Sequence, residues 1–319
     1  MPLAPSRPSL SGRGGALLIS TRDKPSRSVE NEEMLEALKR ALAELADEYG
    51  LELAVLFGSR AEGLAGPASD VDVAVLLRGP EASRCARLLG LKEALASRLR
   101  VEVDLVVLDN GHVSPAFRHV VLSKGLVLFA RDKTALELLR AEAERDYLRC
   151  RREVLARLKR LLSLLGLPGD PEAWEMPEFD ELVRACEGAL RHLDRLSRMD
   201  YEEFAAREEN FALACHFLRI ALECLFDLGR RVLRLMGSPA RSYGEVATAL
   251  CDVGLAAPEM RPFLAELVEW RHHLTHVYFR IEPEEVYRFI REHLPEIMDL
   301  IREVMLKLRE LSGRGRKAD

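Results

Sequence analysis

The sequence has 319 residues with 48% hydrophobic and 31% charged side chains, a composition typical of a folded chain long enough for two domains. It contains no apolar run of the roughly 18 residues that a membrane helix needs, so we expect no membrane partner. A formal net charge of −5 argues against a surface coated with positive charge for bulk nucleic-acid binding and leaves local arginine clusters as the route to any RNA contact.

The ends of the chain and its cysteines are predicted to carry no chemistry. Residues 1–28 mix Pro, Ser, Gly and Arg with one apolar patch too short for a secretory signal, and we interpret them as a disordered extension. Residues 313–319 are interpreted as a basic tail. The six cysteines show neither CxxC spacing nor a histidine at metal-ligand spacing, so we expect reduced core residues in a cytoplasmic protein.

The first folded segment, residues 29–131, is predicted to be a small mixed α/β domain. A helix with amphipathic spacing over residues 31–49 opens it, and Gly50 ends that helix. Three segments rich in Val and Leu follow, LELAVLF, DVDVAVLL and VEVDLVVL, with an amphipathic helix between the second and the third. The apolar run at residues 125–130 predicts a further strand at an edge of the sheet.

The rest of the chain is predicted to be helical. Residues 132–175 combine a long charged helix with a linker rich in turn residues. Residues 176–312 keep helical periodicity throughout, so the sequence predicts an α+β fold class in which an all-helical bundle follows the α/β domain. The predicted helices of the bundle are 179–199, 201–235, 242–253, 258–276 and 283–311.

An acidic site is predicted where the first two strands of the α/β domain meet a glycine-rich loop. In GSRAEGLAGPASDVDVAVLL, Gly58 and Ser59 follow the first strand. Asp70 and Asp72 begin the second strand, and alternation directs both carboxylates to one face. Asp104 alternates in the same way in VEVDLVVL and would lie about 5 Å away laterally if the two strands are neighbours.

Carboxylates in this arrangement can bind magnesium, which prefers hard oxygen ligands and keeps substrate phosphates in its shell. Two ions roughly 4 Å apart would clamp the attacking and leaving oxygens, with Asp104 near the ion that activates the incoming hydroxyl. Gly58 lets the backbone approach phosphates, and Ser59 can donate hydrogen bonds to them. Gly-Ser turns and Asp-x-Asp pairs are each common, so only their combination with a third aspartate is specific.

Residues 31–130 resemble the minimal nucleotidyltransferases (MNT) of the polymerase-β superfamily, whose pattern is Gly-Ser, ten residues, Asp-x-Asp and a later Asp. All of these positions match in this sequence. The resemblance implies transfer of a nucleoside monophosphate, usually AMP from ATP with magnesium, to an acceptor hydroxyl. It leaves the identity of the acceptor open.

A second polar site is predicted in WRHHLTHVYFRIEPEEVYRFI, at the junction of the last two helices. Arg271 and Tyr278 would share a helix face, whereas His276 lies roughly 140° from Arg271 on a regular helix, so convergence requires the helix to end or distort near His276. A histidine can move the proton of an RNA 2′-hydroxyl and an arginine can stabilise charge on phosphorus, which is sufficient for metal-independent RNA cleavage. The alternative is that basic residues simply favour the C-terminal end of a helix.

Residues 178–311 resemble HEPN-superfamily toxins that are paired with minimal nucleotidyltransferases and carry the motif Arg, four residues, His, any residue, Tyr. Arg271, His276 and Tyr278 match this motif. The sequence departs from the family at His272, where an Asn usually follows the Arg, which implies that one positioning hydrogen bond is lost or replaced. The resemblance implies that the nucleotidyltransferase adds AMP to Tyr278 and silences the RNase.

The sequence therefore predicts a toxin and its modifying antitoxin in one chain, with ATP and Mg²⁺ at the first site, tRNA or mRNA at the second, and a homodimer formed through the helical domain. Two alternatives stay open. The chain could be an antibiotic adenylyltransferase whose helical domain binds an aminoglycoside, although the Arg–His–Tyr motif argues against it. The helical domain could also be a non-catalytic nucleotide- or RNA-binding module, a reading that the departure at His272 favours.

Overall fold

The computed structural model describes residues 27–61, 71–109, 111, 113–277 and 280–315. Asp70 and Tyr278 lie outside these ranges, as do residues 1–26 of the predicted extension and residues 316–319 of the predicted tail. Within the described ranges, no helix is both long enough and apolar enough to cross a membrane.

The N-terminal domain is a four-stranded sheet with helices on both faces. The sheet order is β3-β2-β1-β4, with β1 antiparallel to β2 and β4, and β2 parallel to β3. The last strand is therefore an edge strand, as predicted, while the first helix begins earlier than predicted. The elements are α1 (Arg27–Tyr49), β1 (Leu51–Phe57), α2 (Gly58–Ala61), β2 (Val71–Leu77), α3 (Arg84–Leu99), β3 (Val103–Val107), α4 (Pro115–Lys124) and β4 (Leu126–Ala130).

Strand alternation gives the sheet two apolar faces. Val71 and Val73 are fully buried in the core that includes α1 and α3, as predicted. Val55 and Ala74 point the other way, into a second core with α4. Because successive side chains of a strand project to opposite faces, Asp72 belongs to the face that α4 covers.

The C-terminal domain is an all-helical bundle, as predicted. The connecting helix α5 packs its first half against α4 and its second half in the core of the bundle. It begins directly after Asp132, whose carboxylate accepts backbone N–H groups of the first turn. The helices are α5 (Lys133–Leu164), α6 (Asp180–Ser197), α7 (Tyr201–Ala205), α8 (Glu208–Leu235), α9 (Tyr243–Asp252), α10 (Arg261–His276) and α11 (Pro283–Gly315).

The single helix predicted over residues 201–235 is wrong, because α7 and α8 are separate. Arg207 between them has an extended backbone, with φ −132° and ψ 119°. The buried side-chain amide of Asn210 donates to the backbone carbonyls of Glu203 and Phe204, at 3.3 Å each. Carbonyls in the last turn of a helix have no partner within the helix. Asn210 thus supplies the hydrogen bonds that a continuous helix would have made.

The cysteines are mostly core residues, as predicted, and all are free thiols. Cys150 is partly buried and Cys85 is exposed on α3, so the prediction is wrong for Cys85. The four buried thiols all belong to the helical bundle: Cys186, Cys215, Cys224 and Cys251.

Candidate functional site

The predicted acidic site lies at one end of the sheet. β2 and β3 pair in parallel with Asp72 opposite Asp104, which meets the condition on which the predicted site depended. Residues in register on adjacent strands project to the same face, and the strands are about 4.8 Å apart. Asp70 lies outside the described residues, so its position beside Asp72 stays a prediction.

Gly58 lies directly against the Asp72 carboxylate. β1 ends at Phe57, and Gly58 begins α2 with a φ of +70°, a conformation that favours glycine. A Cβ atom placed on Gly58 would lie 2.5 Å from Asp72 Oδ2. Glycine is therefore needed twice here, for the backbone conformation and for the room that the carboxylate occupies. Ser59 is the next residue of α2, and its side chain is not among those that the structure describes.

Sequence reasoning missed Lys92 as a component of this site. Its Nζ atom on α3 lies 2.7 Å from Asp104 Oδ1, and the two side chains are 40% and 53% exposed. A cation that binds Asp104 has to share this carboxylate with the ammonium group or displace it. The two residues are 12 apart, and their spacing in the sequence gives no sign of the contact.

The donor set at this end of the sheet fits magnesium in chemical type. Asp72 and Asp104 offer hard carboxylate oxygens on one face, and Gly58 lies in contact with the first of them. Among the residues that the structure describes, no three metal-ligating side chains form a cluster. The predicted third ligand, Asp70, is outside those residues.

A cavity of about 240 Å³ separates this site from the helical domain. Phe57, the cross-strand partner of Asp72, lines it and packs edge-to-face on Phe117, with ring centroids 5.2 Å apart. Cross-strand partners project to the same face, so the cavity and the Asp72 carboxylate lie on the same side of the sheet. The lining residues are Phe57, Gly58, Ala61, Phe117, Val120, Val121, Lys124 and Gly125 from the first domain, and Phe179 and Arg231 from beside and within the helical bundle.

The two domains also touch through the start of α4. The backbone N–H of Ser114, which precedes α4, donates to Glu181 Oε1 on α6 at 3.3 Å. The guanidinium of Arg231 on α8 lies 5.7 Å from the ring centroid of Phe179. The helical domain therefore forms one wall of the cavity next to the acidic site.

The predicted RNase arginine is held by side chains from two other helices. Arg271 Nη2 donates to Glu223 Oε1 on α8 at 3.0 Å, and its guanidinium lies 5.0 Å from the ring centroid of Tyr243 on α9. The second Glu223 oxygen accepts from Arg219 at 2.7 Å. The Arg271 side chain is 28% exposed, so its guanidinium is oriented and still reaches solvent.

Tyr243 connects this network to a half-buried carboxylate. Its hydroxyl donates to Asp227 Oδ1 at 3.2 Å, and Arg230 lies 5.0 Å from its ring centroid, as Arg271 does. Burial raises the pKa of Tyr243 to about 12, so the phenol stays protonated and keeps donating at neutral pH. Burial also raises the pKa of the Asp227 carboxyl, against the opposing effect of Arg230.

α10 ends at His276, as convergence with Arg271 required. The backbone N–H of Val277 donates to the carbonyl of His273, which closes the helix. The rings of His276 and His272 are 4.7 Å apart, and both side chains are exposed. Within the described part of the chain, no hydrogen bond or ring contact joins His276 to Arg271, and Tyr278 lies outside it.

Glu223 and Tyr243 are further residues that sequence reasoning missed. Glu223 follows Arg219 by four residues, a spacing that signals an ion pair on a helix. Its second partner, Arg271, is 48 residues away, and helical spacing carries no information over that distance.

Two family models match the chain, one in each half. A model described as "Polymerase beta, Nucleotidyltransferase" matches residues 40–134, and one described as "Ribonuclease HepT-like" matches residues 186–304. The chain is a fusion of a nucleotidyltransferase domain and a HepT-like domain. The first match contains the sheet with Asp72 and Asp104, and the second contains Arg271 and His276.

Solved structures similar to the fusion include toxin–antitoxin complexes and an antibiotic-modifying enzyme. A toxin–antitoxin crystallised with AMP-PNP is 26% identical over 39% of this chain and 98% of its own, with a TM-score of 0.34. A tri-AMPylated HEPN toxin from Shewanella oneidensis with its MNT antitoxin is 23% identical; the match covers 40% of this chain and 98% of that one, with a TM-score of 0.32. A spectinomycin adenyltransferase from Enterococcus faecialis with ATP and spectinomycin is 14% identical; the match covers 84% of this chain and 98% of that one, with a TM-score of 0.32. No curated protein matches the chain.

Proposed function

We propose that the nucleotidyltransferase domain transfers AMP from ATP to Tyr278 of the HepT-like domain, and that this modification silences RNA cleavage by Arg271 and His276. The chain would then combine a toxin with its antitoxin. The observation that carries the proposal is the direction in which the acidic site faces. Asp72 lies on the side of the sheet that borders the interdomain cavity, and one wall of that cavity belongs to the HepT-like domain.

Helix α8 supports the proposal because it borders both sites. Arg231 lines the cavity next to the acidic site. The preceding residue, Arg230, lies over the ring of Tyr243, which in turn contacts Arg271. Adjacent positions of one helix thus contact the proposed transfer site and the surroundings of the proposed RNase site.

The proposed transfer is a displacement at the α-phosphorus of ATP. The hydroxyl oxygen of Tyr278 forms a bond to this phosphorus, the bond to the bridging oxygen of the β-phosphate breaks, and pyrophosphate leaves. Asp104 takes the hydroxyl proton, and the backbone at Gly58 and Ser59 binds the leaving phosphates. Mg²⁺, held by the predicted aspartate triad when bound, would neutralise phosphate charge.

The proposed RNA cleavage needs a proton carrier and a fixed cation. His276 takes the proton of a 2′-hydroxyl as the 2′-oxygen bonds to the adjacent phosphorus. The bond from phosphorus to the 5′-oxygen then breaks, and the 5′-oxygen takes the proton from His276, which leaves a 2′,3′-cyclic phosphate. Arg271 stabilises the charge that develops on the phosphorus oxygens, and Glu223 holds it in place before RNA binds. His272 puts a second imidazole beside His276 where the family has an amide.

The proposed silencing follows from charge and size. AMP on Tyr278 adds a phosphate two positions along the chain from His276. This phosphate can pair with Arg271 in competition with Glu223, and the adenosine fills space that RNA would need. The site that evolved to bind an RNA phosphate is then occupied by the phosphate of the modification.

The proposed active form is a homodimer through the HepT-like domain, with two Arg–His pairs facing one RNA strand of tRNA or mRNA. Light scattering on the purified full chain tests this. A mass of two chains that persists on dilution supports the proposal, and a single-chain mass at assay concentration contradicts it.

Intact mass of the purified chain, before and after incubation with ATP and Mg²⁺, tests the transfer. We expect increments of AMP on Tyr278, absent from Asp72→Asn and from Tyr278→Phe. Tyr201→Phe is the matched control, because Tyr201 is an exposed tyrosine of the same domain and its loss should leave the increments unchanged. Mixing Asp72→Asn protein with Tyr278→Phe protein separates the two routes, since AMP on the Asp72→Asn chain requires transfer between chains.

A second candidate is a small-molecule adenylyltransferase, and what favours it is the interdomain cavity beside Gly58, which could admit the acceptor end of a larger molecule. In that case an aminoglycoside hydroxyl replaces Tyr278 as the acceptor. Wild-type protein that gains no AMP, yet releases pyrophosphate from ATP only when an aminoglycoside is present, would support this candidate. A third possibility, a HepT-like domain that binds RNA without cutting it, is supported if unmodified protein binds RNA and never cleaves it.

A further inference from the structure

The cavity between the domains combines aromatic walls with two cationic side chains. Its lining includes Gly58, which lies against the Asp72 carboxylate, Lys124 at the end of α4, and Arg231 on α8. Most of the lining is apolar, and Lys124 and Arg231 are the groups in it that attract an anion. The aromatic ring of Phe179 lies 5.7 Å from the Arg231 guanidinium, which restricts where that group can point.

The size of the cavity decides which part of a nucleotide it can hold. Pockets that enclose a whole drug-sized ligand measure about 300–1,000 Å³. This cavity is about 240 Å³, so it matches a fragment such as two phosphate groups more closely than a complete nucleoside triphosphate. Since Gly58 is the residue at which the leaving phosphates are proposed to bind, the fragment next to it is the β- and γ-phosphate pair.

We propose that Arg231 of the HepT-like domain binds the β- and γ-phosphates of ATP in the nucleotidyltransferase site. The inference rests on the proposed function, because it takes the ligand to be ATP. Its new content is that the nucleotide site is completed by the domain that is to be modified. Arginine suits this role because its planar fork can donate two parallel hydrogen bonds to phosphate oxygens.

This arrangement makes ATP binding sensitive to the position of the HepT-like domain. The neighbouring Arg230 holds Tyr243 and, through it, the surroundings of Arg271. Phosphates that draw Arg231 towards the sheet therefore act on the same helix that supports the proposed RNase site. The nucleotidyltransferase domain by itself would lack one of its phosphate ligands.

Equilibrium binding to the full chain tests the inference, with the α,β-methylene analogue of ATP and adenosine as probes. All proteins carry Tyr278→Phe, so that no modification interferes. Arg231→Met should weaken binding of the ATP analogue by about tenfold or more, because a hydrogen bond to a charged group is lost, and should leave adenosine binding within about twofold. Arg231→Lys should fall between these limits. Arg195→Met, at an exposed arginine of the same domain that does not line the cavity, should change neither affinity.

Three results overturn the inference. The first is that the parent protein does not bind the analogue, and the second is that Arg231→Met and Arg195→Met bind it with equal affinity. The third is that Arg231→Met loses affinity for the analogue and for adenosine equally, which would mean that Arg231 only supports the fold. Arg231→Lys keeps the test decisive if Arg231→Met fails to fold. The proposed function fails separately. If binding of the analogue depends on Arg231 but wild type gains no AMP on Tyr278, the proposed transfer to tyrosine is refuted and the proposed contact of Arg231 with phosphates stands.

Discussion

Replacing Gly58 by alanine measures how closely the backbone packs against the Asp72 carboxylate. At φ +70° an alanine costs about 1–2 kcal/mol, and about 0.4–1 kcal/mol is offset because alanine restricts the unfolded chain. The added methyl group would also meet Asp72 Oδ2 at 2.5 Å, and rotating the carboxylate off its rotamer costs about 0.5–1.5 kcal/mol. We therefore expect Gly58→Ala to lower the free energy of unfolding by about 2 kcal/mol, within a range of about 0.5–3 kcal/mol.

Gly111 provides a matched control in the same domain. Its φ is +71°, and nothing lies within 4 Å of a Cβ atom placed there. Gly111→Ala therefore carries only the backbone cost, about 1 kcal/mol or less. AMP transfer should fall roughly a hundredfold in Gly58→Ala, because a reacting group displaced by about 1 Å loses that much, and should stay within about twofold in Gly111→Ala.

We would test this prediction by measuring urea unfolding and the initial rate of AMP transfer for both glycine variants. Repeating Gly58→Ala in an Asp72→Ala background removes the contact, so the cost in excess of Gly111→Ala should disappear. Equal stability losses in the two glycine variants, together with normal transfer in Gly58→Ala, would refute the reasoning. So would an excess cost that persists without the Asp72 carboxylate.

Lys92→Met removes the ammonium that lies 2.7 Å from Asp104, so we expect AMP transfer to reach half-saturation at a lower magnesium concentration. The free energy of unfolding should change by under about 1 kcal/mol because both groups are exposed. A magnesium titration of AMP transfer with an unchanged or higher midpoint would contradict the expected effect of the ammonium group. Glu223→Gln keeps the shape of the side chain but removes the charge that faces Arg271, so RNA cleavage by unmodified protein should fall about tenfold. An unchanged initial rate on single-stranded RNA would argue against a role of Glu223 in positioning Arg271. Asp227→Asn removes a carboxyl whose pKa is raised by burial, and a raised folded-state pKa means that wild type loses stability as pH rises through that value. The melting temperature of the variant relative to wild type should thus increase between about pH 4 and about pH 7, and a difference that is flat or falls goes against it.

The sheet could be predicted from the sequence because its information is local. Val71 and Val73 alternate with Asp72, and the same period in VEVDLVVL identifies the next strand. Alternation also determines which face each carboxylate takes, so the neighbouring positions of Asp72 and Asp104 follow once the two strands pair. The break between α7 and α8 could not be predicted, because it depends on the carbonyl contacts of Asn210 and not on the apolar period.

The contacts of the candidate site residues could not be predicted from the sequence, and the roles of these residues stay predictions. The motif spacing identified Arg271 and His276, and the end of α10 at His276 could be anticipated from helix geometry. The contacts of Arg271 with Glu223 and Tyr243 join three helices, so they follow from tertiary packing alone. Lys92 is similar, because its ion pair crosses from a helix to a strand at the sheet edge.

The helix α5 has a consequence for the fate of the two domains. It is 32 residues long, about 48 Å at the usual rise per residue. Leu136 near its start is buried with the sheet, and Leu158, Leu161 and Leu162 near its end are buried in the bundle. A cut near either end of this helix would remove apolar side chains from the core of the adjacent domain. The two domains therefore share one continuous helix, and they stay at a ratio of one to one for as long as the chain is uncut.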